Sequence, residues 1–81
     1  MQLDGNLIKE RGHDYLMEML NFPDYYGKNL DALYDCLCEI GEDTEIVLIN
    51  GKEVSSDLID TFIDADNEND FLKFKCESWY F

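Results

Sequence analysis

The sequence predicts an α/β sandwich built as one domain over residues 1–81, and three observations carry that prediction. Short apolar runs of strand character alternate with segments whose apolar residues recur at helical spacing. A chain of 81 residues has room for one modest core, since domains near this size bury only about 60% of the surface that the unfolded chain exposes. Hydrophobic residues make up 46% and aromatics 14%, with a single proline, which is too much apolar material for a disordered acidic tail. If helical crossovers join the successive strands, the sheet is parallel and the crossovers are right-handed.

The segment Met1 to Ile8 mixes apolar residues with Asp4-Gly5-Asn6, a combination that suits a short first strand and its exit turn. Leu16, Met17, Met19 and Leu20 then predict a first helix from about His13 to Leu20, stopped ahead of Pro23 because a residue preceding proline avoids helical angles. Asn21 to Lys28 is a loop punctuated by Pro23 and Gly27 and holding three aromatics. Asn29 is placed to cap a second helix running to about Ile40, with Asp31 near its positive end. At 100° per residue Leu30, Leu33, Leu37 and Ile40 form one stripe, and Asp31, Tyr34, Asp35 and Cys38 point away from it. Glu42 to Glu45 is an acidic loop entering Ile46-Val47-Leu48-Ile49, a continuous branched run that reads as a strand covered on both faces, and Asn50-Gly51 ends it. Ser55 or Ser56 caps a third helix with Leu58, Ile59, Phe62 and Ile63 on one face and Asp57, Asp60 and Asp64 on the other. Asp66 to Asp70 is a polar connection, Phe71 to Cys76 a last strand, and Trp79-Tyr80-Phe81 an apolar end.

Nineteen acidic residues against six basic ones leave a formal charge of −13. Such a surface repels phosphate backbones and anionic headgroups, which argues against nucleic acid and membrane as direct ligands, and it attracts basic proteins. The longest apolar stretch, Ile46 to Ile49, is far short of the roughly 20 residues of a membrane span. Cys36, Cys38 and Cys76 are odd in number and no secretory segment opens the chain, so the expected setting is the reducing cytoplasm.

No catalytic or metal chemistry emerges. Asp31 and Asp35 lie one helical turn apart and share a face, but acid-base work of the glycosidase kind needs a concave pocket, and this face is solvated. A calcium loop starting at Asp64 puts Asn69 at the sixth position and Lys75 at the twelfth, and one starting at Asp66 puts Phe71 where glycine is required. Cys36 and Cys38 point roughly 160° apart on a helix and lack a fourth zinc ligand; Cys36 reads as a small core residue and Cys38 as a partly exposed thiol. His13 has no visible nucleophile to assist. The expectation is a binding protein without cofactor, metal or catalytic residue, monomeric when free.

What remains is a surface. Between Pro23 and Glu45 seven acids face one base, Lys28, and from Glu53 to Asp70 seven more face none. Two like charges at Asp31 and Asp35 disfavour their own helix, a cost that a partner's positive charge would offset. Tyr25, Tyr26 and Tyr34 add rigid contact area beside carboxylates able to pair with arginine, the composition of a hot spot for a basic partner. One of the loop tyrosines is needed to pin the loop to the core.

The sixteen residues Phe22-Pro23-Asp24-Tyr25-Tyr26-Gly27-Lys28-Asn29-Leu30-Asp31-Ala32-Leu33-Tyr34-Asp35-Cys36-Leu37 resemble the signature loop and helix of the barstar family. The resemblance implies a three-stranded parallel sheet flanked by about three helices. It also implies an intracellular inhibitor whose acidic loop and helix plug the active site of a basic, barnase-type ribonuclease as a mimic of RNA phosphates. By match within the motif, Tyr25, Gly27, Asn29, Asp31 and Asp35 stand at the family's nuclease contacts, with Asp35 at the centre, and Tyr34 packs against the rim. Asp64 falls at a family glutamate that also faces the nuclease. The chain departs from the best-known member of that family at Tyr34 and Ile40, where that member has tryptophans, and in a shorter connection ahead of the third helix. The implied consequence is that Asp35→Ala weakens binding more than Asp57→Ala, taken as a rim charge. The alternative is an antitoxin, immunity or adaptor protein of the same fold that binds another basic protein.

Overall fold

The computed structural model describes residues 1–77, so the apolar end at 79–81 lies outside the described residues. Three parallel strands, β1 (Gln2–Asp4), β2 (Thr44–Ile49) and β3 (Leu72–Cys76), form one sheet in the order β1-β2-β3. Between β1 and β2 run α1 (Gly5–Arg11), α2 (His13–Leu20) and α3 (Leu30–Cys38); between β2 and β3 run a 3-10 turn (Gly51–Glu53) and α4 (Ser56–Glu68). The strand–helix alternation therefore gives the predicted α/β architecture, with one helix more than expected.

That extra helix, α1, occupies what read as an exit turn. Asp4 is its cap, accepting the Asn6 N–H at 2.9 Å, and Gly5 starts the helix where a Cβ would overlap the backbone of Asn50. The turn-prone trio is thus a capping sequence. Gly12 (φ 62°) separates α1 from α2, donating to the Ile8 carbonyl at 2.7 Å while its own carbonyl receives the Tyr15 N–H at 3.1 Å.

Both connections lead the same way across the sheet, and right-handed crossovers place such helices on one face. Burial agrees: Leu3, Ile46, Leu48 and Leu72 are buried, whereas Gln2, Glu45, Lys73 and Lys75 are exposed on the other side. β2 is accordingly not covered on both faces, since Val47 and Ile49 are only half-buried. The sheet packs on Leu33 and Leu37 of α3 and on Leu58, Ile59, Phe62 and Ala65 of α4, with Phe62 stacked on Phe74 at 4.9 Å. Ile63, expected in this face, is exposed, and Ala65 takes its place. α4 also runs on to Glu68, through part of the expected polar connection. Asn69, beyond it, is buried: its side-chain amide donates to the carbonyls of Leu37 (3.0 Å) and Ile40 (2.9 Å) and accepts the Phe71 N–H at 3.0 Å. One side chain thus ties the end of α3 to the entry of β3.

Candidate functional site

The loop over residues 21–29 is held at both ends and in the middle. Tyr26 is the anchoring tyrosine: it is 5% exposed, packs on Phe22 at 4.9 Å, and its hydroxyl lies 2.7 Å from His13 Nδ1. Burial, followed by the nearby Cys36, pushes its phenol up to about 12, and burial also lowers His13 against the opposing pull of Asp14. Lys28, in the left-handed region at φ 54°, pairs with Asp14 at 2.7 Å, and this partner holds the Asp14 carboxyl below its ordinary value. Asn29 closes the loop by accepting the Ala32 N–H at 2.8 Å and donating to the Gly27 carbonyl at 3.2 Å. Its side chain is therefore engaged within the chain at both ends. A Cβ at Gly27 would stand 3.2 Å from that of Ala32, a contact tight enough that Ala32 would have to shift by a few tenths of an ångström. Against this fixed frame Tyr25 projects outward, 86% exposed.

α3 presents Asp31 and Asp35 to solvent along one ridge. Two depressions flank it. On one side, between α3 and α4, a groove of about 440 Å³ is lined by Leu30, Asp31 and Tyr34 from α3 and by Asp57, Asp60, Thr61 and Asp64 from α4. On the other, a hollow of about 210 Å³ brings together Tyr25, Gly27 and Asp35 beside Ala32 and Cys36. The expected residues thus divide into two groups on either side of one helix, with Asp31, Tyr34 and Asp64 in the groove and Tyr25, Gly27 and Asp35 in the hollow.

Among the described residues no lysine or arginine is paired with Asp31, Asp35, Asp57, Asp60 or Asp64; the ion pairs engage Lys9, Arg11 and Lys28 elsewhere. The negative potential of the groove therefore has no internal compensation. The Tyr34 phenol is pushed above its ordinary value, first by its hydrogen bond with the Cys38 thiol, then by burial and by the charges of Cys38, Glu68 and Asp64. It remains a neutral group in an anionic wall. Asp57, expected as a rim charge, lines this groove with Asp60 on the α4 wall, and Asp31 lines it from α3. The spacing of Asp57, Asp60 and Asp64 shows a common stripe in the sequence, but only the packing of α4 on α3 reveals what that stripe faces.

No group of three or more histidine, cysteine, aspartate or glutamate side chains among the described residues is placed to hold a metal ion, and Cys36, Cys38 and Cys76 are free thiols. Cys36 is half-buried like Cys38, not a fully enclosed core residue. No helix among these residues is long and apolar enough to cross a membrane.

The family model described as Barstar (barnase inhibitor) matches residues 1–77. A protein of Bacillus subtilis (strain 168) named "Putative ribonuclease inhibitor YrdF" is 72% identical over 25 residues, which are 31% of this chain and 28% of that protein. The similarity to that relative thus spans little more than a quarter of its length, whereas the family match runs through the whole described fold. The chain belongs to the barstar family.

Proposed function

We propose that this member of the barstar family inhibits a basic ribonuclease of the barnase type by occluding its active site. The observation that carries the reading is the exposed ridge of α3, where Asp31 and Asp35, with no lysine or arginine partner among the described residues, stand between an acidic groove and a tyrosine-lined hollow. A ribonuclease must present cations to the phosphates of RNA, and carboxylates held at helical spacing pair with the same cations. Asp35 is the central contact, Asp31 and Asp64 flank it from the groove, and Tyr25 and Tyr34 pack against the rim. Gly27 lets the partner approach the loop backbone, and Asn29 keeps that loop in shape.

The part played by this chain is binding, without cofactor and without turnover, and its free thiols suit a reducing cytoplasm. The name of the Bacillus relative supports a ribonuclease as the partner class. The test is the affinity of a barnase-type ribonuclease for the protein and for two variants. Asp35→Ala is expected to cost about 2 kcal/mol or more, roughly thirtyfold in affinity. Asp43→Asn, an exposed charge in a different hollow beside Asp70, is expected to cost almost nothing. Equal losses in the two variants would contradict the assignment. Absence of any binding would move the partner from a ribonuclease to another basic protein.

A further inference from the structure

The acidic groove continues past Leu30 and Asp57. Both residues also line a second hollow of about 310 Å³, whose walls are mainly apolar: Ile8 from α1, Leu16 from α2, Leu30 from α3, Leu58 from α4, and Val54 just after the 3-10 turn. Gly12, at the junction of α1 and α2, lines it without a side chain, and a Cβ there would meet nothing within 4 Å. One wall is braced by Lys9 and Glu53, 3.2 Å apart, which tie α1 to the turn. Room is ample, since a cavity of roughly 150 Å³ with aliphatic walls already admits a benzene ring.

We propose that this hollow receives an apolar side chain of the same basic partner, carried next to a lysine or arginine that sits on Asp57 and Asp60. The proposal rests on the reading of the acidic groove as the partner-binding surface. The hollow is continuous with the groove, and the groove carries the charge that a basic partner seeks. Because Leu30 and Asp57 belong to both depressions, a partner segment that lays a cation over Asp57 brings the adjoining side chain to Leu30. Carboxylates alone attract any cationic surface, so they give rate and register more than choice. An apolar anchor in a preformed pocket beside a desolvated charge has the composition of a hot spot, and it discriminates by shape. The hollow is therefore where this chain distinguishes one basic partner from another.

The test compares wild type, Val54→Trp and Asp35→Ala for affinity to a barnase-type ribonuclease, with thermal unfolding of each variant. Val54 is half-buried at the edge of the hollow, so a tryptophan there fills the space without replacing a fully buried residue. Val54→Trp is expected to weaken binding by about tenfold or more while the fold is retained. Loss of affinity in Asp35→Ala with Val54→Trp within about twofold of wild type would overturn the hollow's role and leave the inhibitor reading intact. If the wild type does not bind the ribonuclease, or Val54→Trp unfolds, a titration with N-acetyl-arginyl-leucine amide and its glycine counterpart decides. Amide shifts at Leu30, Val54 and Leu58 produced by the leucine peptide alone support the proposal. Equal shifts, or none, overturn it.

Discussion

Tyr25 and Tyr26 are neighbours of the same chemical type with opposite fates, one 86% and the other 5% exposed. That one of them anchors the loop was legible from the sequence. Which one was not, because a nine-residue loop has no period to read, and the choice depends on His13 standing across from Tyr26 at 2.7 Å. The same pair carries a pH dependence. Burial lowers His13 from its ordinary 6.5, so as pH falls through that value the unfolded chain takes up the proton before the folded one. This histidine therefore subtracts stability as pH falls from about 7 through 6.5, and its effect levels off below the folded value. Denaturant melts at several pH values should show that loss in the wild type relative to His13→Gln, in which the titrating group is absent. Parallel curves would contradict the assignment of His13 as neutral and half-buried in the fold.

The caps join local chemistry to packing. Asn29 was legible as a cap because it precedes a clean apolar stripe, and its side chain accepts the Ala32 N–H. Asn29→Ala should lower stability by about 1 kcal/mol and loosen the Gly27 carbonyl that the same side chain holds. The capping role of Asp4 was hidden: α1 is seven residues long and buries only Gly5 and Ile8, too few positions for a periodic signal. Ile63 was misplaced for a geometric reason. At about 100° per residue, Ala65 lies roughly 20° outside the arc spanned by Leu58, Phe62 and Ile59, whereas Ile63 lies roughly 40° outside it, and side-chain hydrophobicity outweighs the angle in the sequence pattern. Asn69 was invisible because its three partners belong to α3, the residues following it and the entry of β3. Replacing Asn69 by alanine strands buried carbonyls and should cost about 2 to 3 kcal/mol by equilibrium unfolding, well above an exposed asparagine such as Asn67. The acidic groove was half legible on the same logic: the sequence displayed each acidic stripe, and tertiary packing joined them.

Over the whole molecule, the charge of −13 is organised by the fold. Thirteen of the nineteen acids fall in α3, α4 and the segments that flank them, while Lys73 and Lys75 lie exposed beside Glu45 on the far side of the sheet. Three of the six cations, Lys9, Arg11 and Lys28, are held in ion pairs. Such a distribution orients an approaching basic protein toward the helical side and speeds encounter at low ionic strength. The association rate with a basic ribonuclease should therefore fall about tenfold or more between roughly 0.01 M and 0.5 M salt, as the Debye length shrinks from about 30 Å to a few ångströms. The dissociation rate should change far less, since contacts already formed are screened less. A salt-independent association rate in stopped-flow mixing would show that the groove does not steer. The most direct test of the central claim is cleavage of a fluorescent RNA by a barnase-type ribonuclease titrated with this protein. The account predicts that cleavage stops at one equivalent of protein, and that Asp35→Ala, weaker by about thirtyfold or more, needs correspondingly higher concentrations to inhibit when the ribonuclease is dilute. Undiminished cleavage in the presence of excess protein, or equal inhibition by Asp35→Ala, would contradict it.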